Sequence, residues 1–156
     1  MRLNRSEIDL FNKVSANILS NLEYLKLKNF RHHGKISIYD HCIAVALNAL
    51  ASSRSHPSVN KESLIKAALL HDFFLYDWHV IGQRKRLHGF RHPYIALENA
   101  RKQFEVTPEE ENIILHHMWP LCIIPPKKIS GWIVIYCDKI VCLQEIFHYY
   151  GQIVEI

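Results

Sequence analysis

Imidazole and carboxylate side chains recur inside, or at the ends of, apolar stretches of this chain. His41 lies in DHCIAVALNAL, His71 and Asp72 close LIKAALLHD, and His92 opens HPYIALENA. His116 and His117 end NIILHH, and Asp138 interrupts VIYCDKIVCL. One histidine on an apolar helix is ordinarily a hydrogen-bonded core residue. A carboxylate flanked as Asp138 is, by Val134, Ile135, Cys137, Ile140 and Val141, must be paired or bound to a cation. Taken as a set, histidines and aspartates brought from several helices into one bundle interior are how helical proteins build a dinuclear metal site. Asp72 is the natural bridge, because a carboxylate offers two oxygens and a neutral imidazole one free lone pair. His71 and Asp72 can both serve if their helix ends there and the neighbouring side chains diverge.

Helices must position these groups. The helical period runs through Ile8, Phe11, Val14, Ile18, Leu22 and Leu25, with Ser6 as the cap. A second helix is expected over 38–52, and a third from Asn60 or Lys61 to near Phe74. Residues 76–91 read as irregular. Pro93 suits the first turn of a fourth helix, which runs to about Phe104. Thr107 and Glu110 form a capping box around Pro108 and start a fifth helix, ending before Pro120. A sixth runs from Ser130 or Gly131 to Tyr150, with Gly151 as its stop. The run WIVIYC has a strand-like composition but continues into DKIVCLQEIF without a break, so it reads as buried helix. The fold class is all-α, a helical bundle of about six helices.

The 156 residues fit one domain, 1–156, with 49% hydrophobic and 22% charged residues, as in a globular core. Apolar stretches are too short to cross a bilayer, and the N-terminus lacks the apolar core of a signal peptide. The expectation is a cytoplasmic protein with no membrane partner. A net charge of +4 is too mild to imply nucleic acid, and the basic run QRKRLHGFRH lies among histidines. Four cysteines without a CxxC pair read as buried thiols. Histidine, at 11 residues, is the unusual component. His32, His33, His56, His79 and His148 lack apolar context, and most of them are expected at the surface.

The order His41, then His71-Asp72, then Asp138 resembles the H…HD…D motif of the HD-domain superfamily of metal-dependent phosphohydrolases. HGFRHPYIALENA and IILHHMWP resemble the added histidine segments of its dinuclear members. The likeness spans residues 33–142 and implies an all-α fold, in agreement with the helices read above. By that resemblance His41, His71, Asp72 and Asp138 hold a first divalent metal. His92 and His116 hold a second, with Asp72 bridging and His117 replacing or supplementing His116; iron or manganese is expected. His116, three positions after Ile113, is assigned the buried face. His117 is placed at the rim, as a second ligand or a donor to substrate phosphate. The chain departs from cyclic-dinucleotide phosphodiesterases of the superfamily, which carry GYP and a lysine soon after HD, where this chain reads HDFFLYDWH. Ser37 stands where a third-metal glutamate is found, which favours two metals.

Hydrolysis of a small phosphorylated molecule, with a nucleotide as one candidate, is the expected function. In it Asp72 bridges the metals, Arg91 and Lys139 offset phosphoryl charge beside proposed ligands, and Asp77 or His79 protonates the leaving oxygen. Arg84, Lys85 and Arg86 read as a solvated charge run, and His88 as a phosphate contact or a loop stabiliser. The same ligand set resembles that of di-iron HD-type oxygenases, and a nucleotide-binding sensor without turnover is a third reading.

Overall fold

The computed structural model describes residues 3–80, 82 and 87–154, with side chains described to Phe147. Those residues form seven α-helices: α1 (Arg5–Leu19), α2 (Leu22–Leu25), α3 (Ile38–Ser52), α4 (Lys61–Leu70), α5 (His88–Gln103), α6 (Pro108–His116) and α7 (Ile129–Val154). There is no strand among them, only an isolated bridge between Arg31 and Ser37. The class is all-α, as the periodicity indicates. The residues of WIVIYC lie within α7.

Helix α4 is the axis of the bundle. Leu64, Ile65, Ala67, Ala68, Leu69 and Leu70 are all fully buried, so beyond its first turn the helix is apolar on every side but that of Lys66, which pairs with Glu110. It packs against α1, α3, α5, α6 and α7, and α3 packs in turn on α7. Each large aliphatic side chain so enclosed contributes roughly 1.5–3 kcal/mol of burial free energy. Tyr24 sits beneath, donating its hydroxyl to the Leu69 carbonyl at 2.6 Å and meeting Phe73 edge-on at 5.2 Å.

Element boundaries follow local hydrogen bonding. Asn4, not Ser6, caps α1. Its Oδ1 accepts from the Glu7 amide at 3.0 Å, and Glu7 reaches back to the Asn4 amide at 2.8 Å. Ser6 donates its hydroxyl to the same Asn4 oxygen. Ser37 caps α3, Asn60 caps α4, and the expected Thr107–Glu110 capping box starts α6. Helix α4 stops at Leu70 rather than near Phe74. The Phe74 amide turns back to the Asp72 carbonyl at 2.7 Å, and both Phe73 and Phe74 are buried. Helix α5 starts five residues before Pro93, because the Leu87 carbonyl accepts from the amides of Phe90 and Arg91. Leu87 itself takes a left-handed φ of 57°. Pro93, inside the helix, forfeits only one backbone hydrogen bond. Helix α7 passes through Gly151 to Val154, since an interior glycine costs a helix only about 1 kcal/mol.

Candidate metal centre

Five helix segments converge where α4 ends. The cap residue His71 and the following Asp72 emerge from its C-terminus, His41 comes from α3 one turn after the Ser37 cap, and Asp138 from the middle of α7. His92 comes from α5, and His117 is the residue that caps α6. All six are buried. Asp138 Oδ1 lies 3.1 Å from His41 Nε2 and 3.7 Å from His71 Nε2. Asp72 divides its oxygens. Oδ2 is 3.7 Å from His71 Nε2, while Oδ1 is 3.1 Å from His92 Nε2 and 3.4 Å from His117 Nε2. The donor atoms of His41, His71 and Asp138, and those of His71, Asp72 and His117, fall within 4.8 Å of one another.

The second nitrogen of every ring is committed to an outward acceptor. His71 Nδ1 donates to the Ala68 carbonyl at 2.7 Å, His92 Nδ1 to the His88 carbonyl at 3.0 Å, and His117 Nδ1 to the Ile114 carbonyl at 2.7 Å. His41 Nδ1 donates to Glu145 Oε1 at 2.9 Å. A carbonyl oxygen can only accept, as can the Glu145 carboxylate, which burial pushes up but its bonds to His32 and His41 lower to about 2, so each of these Nδ1 atoms carries a proton. In the neutral ring, Nε2 then presents a lone pair to the interior. His92 Nε2 and His117 Nε2 lie 2.9 Å apart, and two lone pairs so placed call for a positive charge between them. His71 Nε2 and Asp72 Oδ1 are buried without a hydrogen-bond partner. Orphan donors of this kind, in a nitrogen and oxygen set suited to borderline metals, fit divalent cations.

The charges point the same way. Burial opposes ionisation of Asp72 and Asp138, yet the surrounding imidazoles hold both carboxyls well below the usual range. Burial works against a charged His41, but its bonds to Asp138 and Glu145 hold it at about 10, and against burial Asp72 likewise raises His71, so with no cation present protons answer the carboxylates where a cation would. Burial pushes His117 down, toward the neutral form a ligand needs.

The structure reverses one assignment. His117, not His116, joins the cluster. The buried stripe of α6 is Glu110, Ile113, Ile114 and His117, so His117 shares the face of both isoleucines. His116 is half-buried, donates its Nδ1 proton to the Asn112 carbonyl at 2.7 Å, and lines a separate cavity of about 560 Å³ with Asn112 and Lys127. Neither are Asp77, His79, Arg91 and Lys139 brought into the cluster. Asp77 accepts from the His79 amide at 2.9 Å in a surface turn beside a cavity of about 850 Å³, also lined by Arg31 and His33. Arg91 is exposed on α5. Lys139 is exposed and donates to the Trp119 carbonyl at 2.6 Å. His88 meets the Tyr76 hydroxyl at 2.8 Å through Nδ1. Arg84, Lys85 and Arg86 lie outside the described residues, as does the side chain of His148.

Two residues at the centre escaped the sequence reading. His32, expected at the surface, is buried and stacks on His41 at 3.6 Å. Glu145 links the two, since Oε1 accepts from His41 and Oε2 accepts from His32 Nδ1 at 2.7 Å. Its signal was present in the spacing: Asp138, Cys142 and Glu145 follow at i, i+4 and i+7 along α7, one helix face. Cys142 donates its thiol to Asp138 at 3.4 Å, and burial pushes its ionisation far up, so it stays a thiol. A cleft of about 670 Å³, lined by Met118, Trp119, Leu121 and Leu143, reaches His117 and Asp138.

An all-α bundle with histidines and aspartates converging at the end of its central helix defines a class of metal-binding helical proteins. A family model for the HD domain matches residues 38–139, and the chain belongs to that family, within the superfamily of metal-dependent phosphohydrolases. Searches of curated proteins and of solved structures each found no match. Among the described residues no helix is long and apolar enough to cross a membrane.

Proposed function

We propose that this chain is a dinuclear phosphohydrolase acting on a small phosphate ester or nucleotide-type substrate. The observation that carries the reading is the division of Asp72: one carboxylate oxygen faces His71 and the other faces His92 and His117. His41, His71, Asp72 and Asp138 would hold one cation, and Asp72, His92 and His117 the other. Cations held there would polarise a phosphoryl oxygen and acidify the attacking water.

The chain's own residues supply the rest. Nδ1 protons donated to fixed carbonyls and to Glu145 keep each Nε2 aimed inward before any ligand arrives, so little reorganisation accompanies catalysis. The cleft at His117 admits substrate, and Lys139 stands on its wall with an ammonium that can exchange the Trp119 carbonyl for a phosphoryl oxygen. Arg91, Asp77 and His79 would act from outside the cluster, on the substrate's periphery. The mild net charge of +4 supports a small substrate over a polyanion.

Metal analysis of the purified protein, followed by phosphate release from nucleotides, dinucleoside polyphosphates and sugar phosphates, tests this. Phosphate release with manganese under nitrogen is the expected result. A strict need for iron and oxygen, with no phosphate released, would overturn hydrolysis in favour of oxidation.

A further inference from the structure

His32 lies outside the ligand set just described, yet it is built as the ligands are. The loop that carries it is pinned on both sides. The His32 amide donates to the Ile36 carbonyl at 2.8 Å, and the Ile38 amide to the Phe30 carbonyl at 2.9 Å. The ring is buried and lies nearly parallel to His41, 3.6 Å away at 23°. Its Nδ1 proton goes to Glu145 Oε2, which commits that nitrogen and leaves Nε2 as a lone pair. That lone pair faces Asp72 Oδ2 at 3.6 Å, close to the 3.7 Å at which His71 Nε2 faces the same oxygen. Two acceptors so placed in a buried site cannot hydrogen-bond each other without a proton or cation between them. The donor atoms of His32 and His41 also fall, with that of Cys142, in one group within 4.8 Å.

We propose that His32 is a further ligand to the cation on the His41 side, and that Glu145 is a positioning residue that sets His32 and His41 in the same tautomer. This rests on the dinuclear reading above. One carboxylate accepts from two stacked rings, one per oxygen, so both Nε2 atoms point the same way. The two cations then have unequal surroundings. His32, His41, His71, Asp72 and Asp138 serve one, whereas Asp72, His92 and His117 serve the other. Positions for water and substrate are therefore concentrated on the His92 and His117 side, where the cleft reaches His117, although it also touches Asp138 on the other side.

Cobalt(II) titration of the full chain tests the assignment. Each ring bound through Nε2 shows its exchangeable Nδ1 proton as a hyperfine-shifted NMR signal. In the wild type His32 should contribute one, and His32→Asn should remove it while leaving the signals of His92 and His117. Glu145→Gln presents an amide N–H to one of the two rings and so breaks the shared tautomer. It should weaken the His41-side cation by about 10–100-fold in competition with a chelator, as losses of such supporting carboxylates do. Melting of the metal-free variants separates loss of a ligand from loss of the fold. A wild type that binds two cations without a His32 signal, with affinity unchanged in both variants, overturns the role of His32 and Glu145 and leaves the dinuclear reading intact. A wild type that binds no cobalt overturns both.

Discussion

At the scale of the residue, neighbours in sequence are not equivalent in space, and His116 and His117 show it. His116 and His117 differ by about 100° around α6. Counting from Ile113 alone favours His116, but counting from Ile113 and Ile114 together favours His117, and the buried stripe follows the second count. His117→Ala should therefore lower the metal content from two ions toward one, while His116→Ala should leave it unchanged. Elemental analysis of the two variants checks this, and equal content in both would remove His117 from the centre. Asp72→Ala should lose both ions, because no other carboxylate among the described residues faces His71 with one oxygen and His92 with the other. The ligand positions were legible because polar groups stood out against apolar flanks, as at Asp138. His32 was not, because only the folded loop, closed by the Arg31–Ser37 bridge, turns it inward.

At the scale of the element, six of the seven helices were readable from periodicity, whereas the period expected to run on to Leu25 breaks after Leu19 and Asn21 caps a separate α2; helix ends were decided by individual hydrogen bonds. Asn4 displaced Ser6 as the cap of α1 because Glu7 could answer it. The same Glu7 ties α1 to the end of α3. It accepts two bonds from the Arg54 guanidinium, and together with its bond from the Asn4 amide these lower its carboxyl from the ordinary 4.5 to about 2. The folded value lies below the unfolded one. This linkage is therefore fully present above pH 4.5 and is lost as pH falls toward 2. Arg54→Met should remove that part of the acid sensitivity. Melting temperature against pH should show the gap between wild type and variant closing across this window. A gap that stays constant from neutral pH down to 2 would mean that the pair contributes nothing specific to the acid limb.

At the scale of the whole molecule, one helix serves both the core and the chemistry. Helix α4 contributes the most enclosed aliphatic residues and then, at its end, His71 and Asp72. Cation binding therefore acts on the fold through its most buried element. A cation bound to the native state at 100 times its dissociation constant adds about 2.7 kcal/mol, or roughly 5–10 °C per site for a domain of this size. Chelation should lower the melting temperature by that amount for each ion removed, and re-addition should restore it. A melting temperature indifferent to chelator would separate the cluster from folding stability.

Two of the rings are held by the last turn of their own helix. His71 donates to Ala68 and His117 to Ile114, each three residues back. Carbonyls there would otherwise lack an intrahelical donor. Each histidine thus closes its helix with one nitrogen and offers the other inward, so cation binding and the closure of these helix ends are coupled. Opening either helix end in a loaded chain must also release a cation, so an empty chain opens there at lower cost. Proteases that sample such openings act as a quality filter, and the steady-state pool of this protein becomes enriched in chains that have acquired their ions.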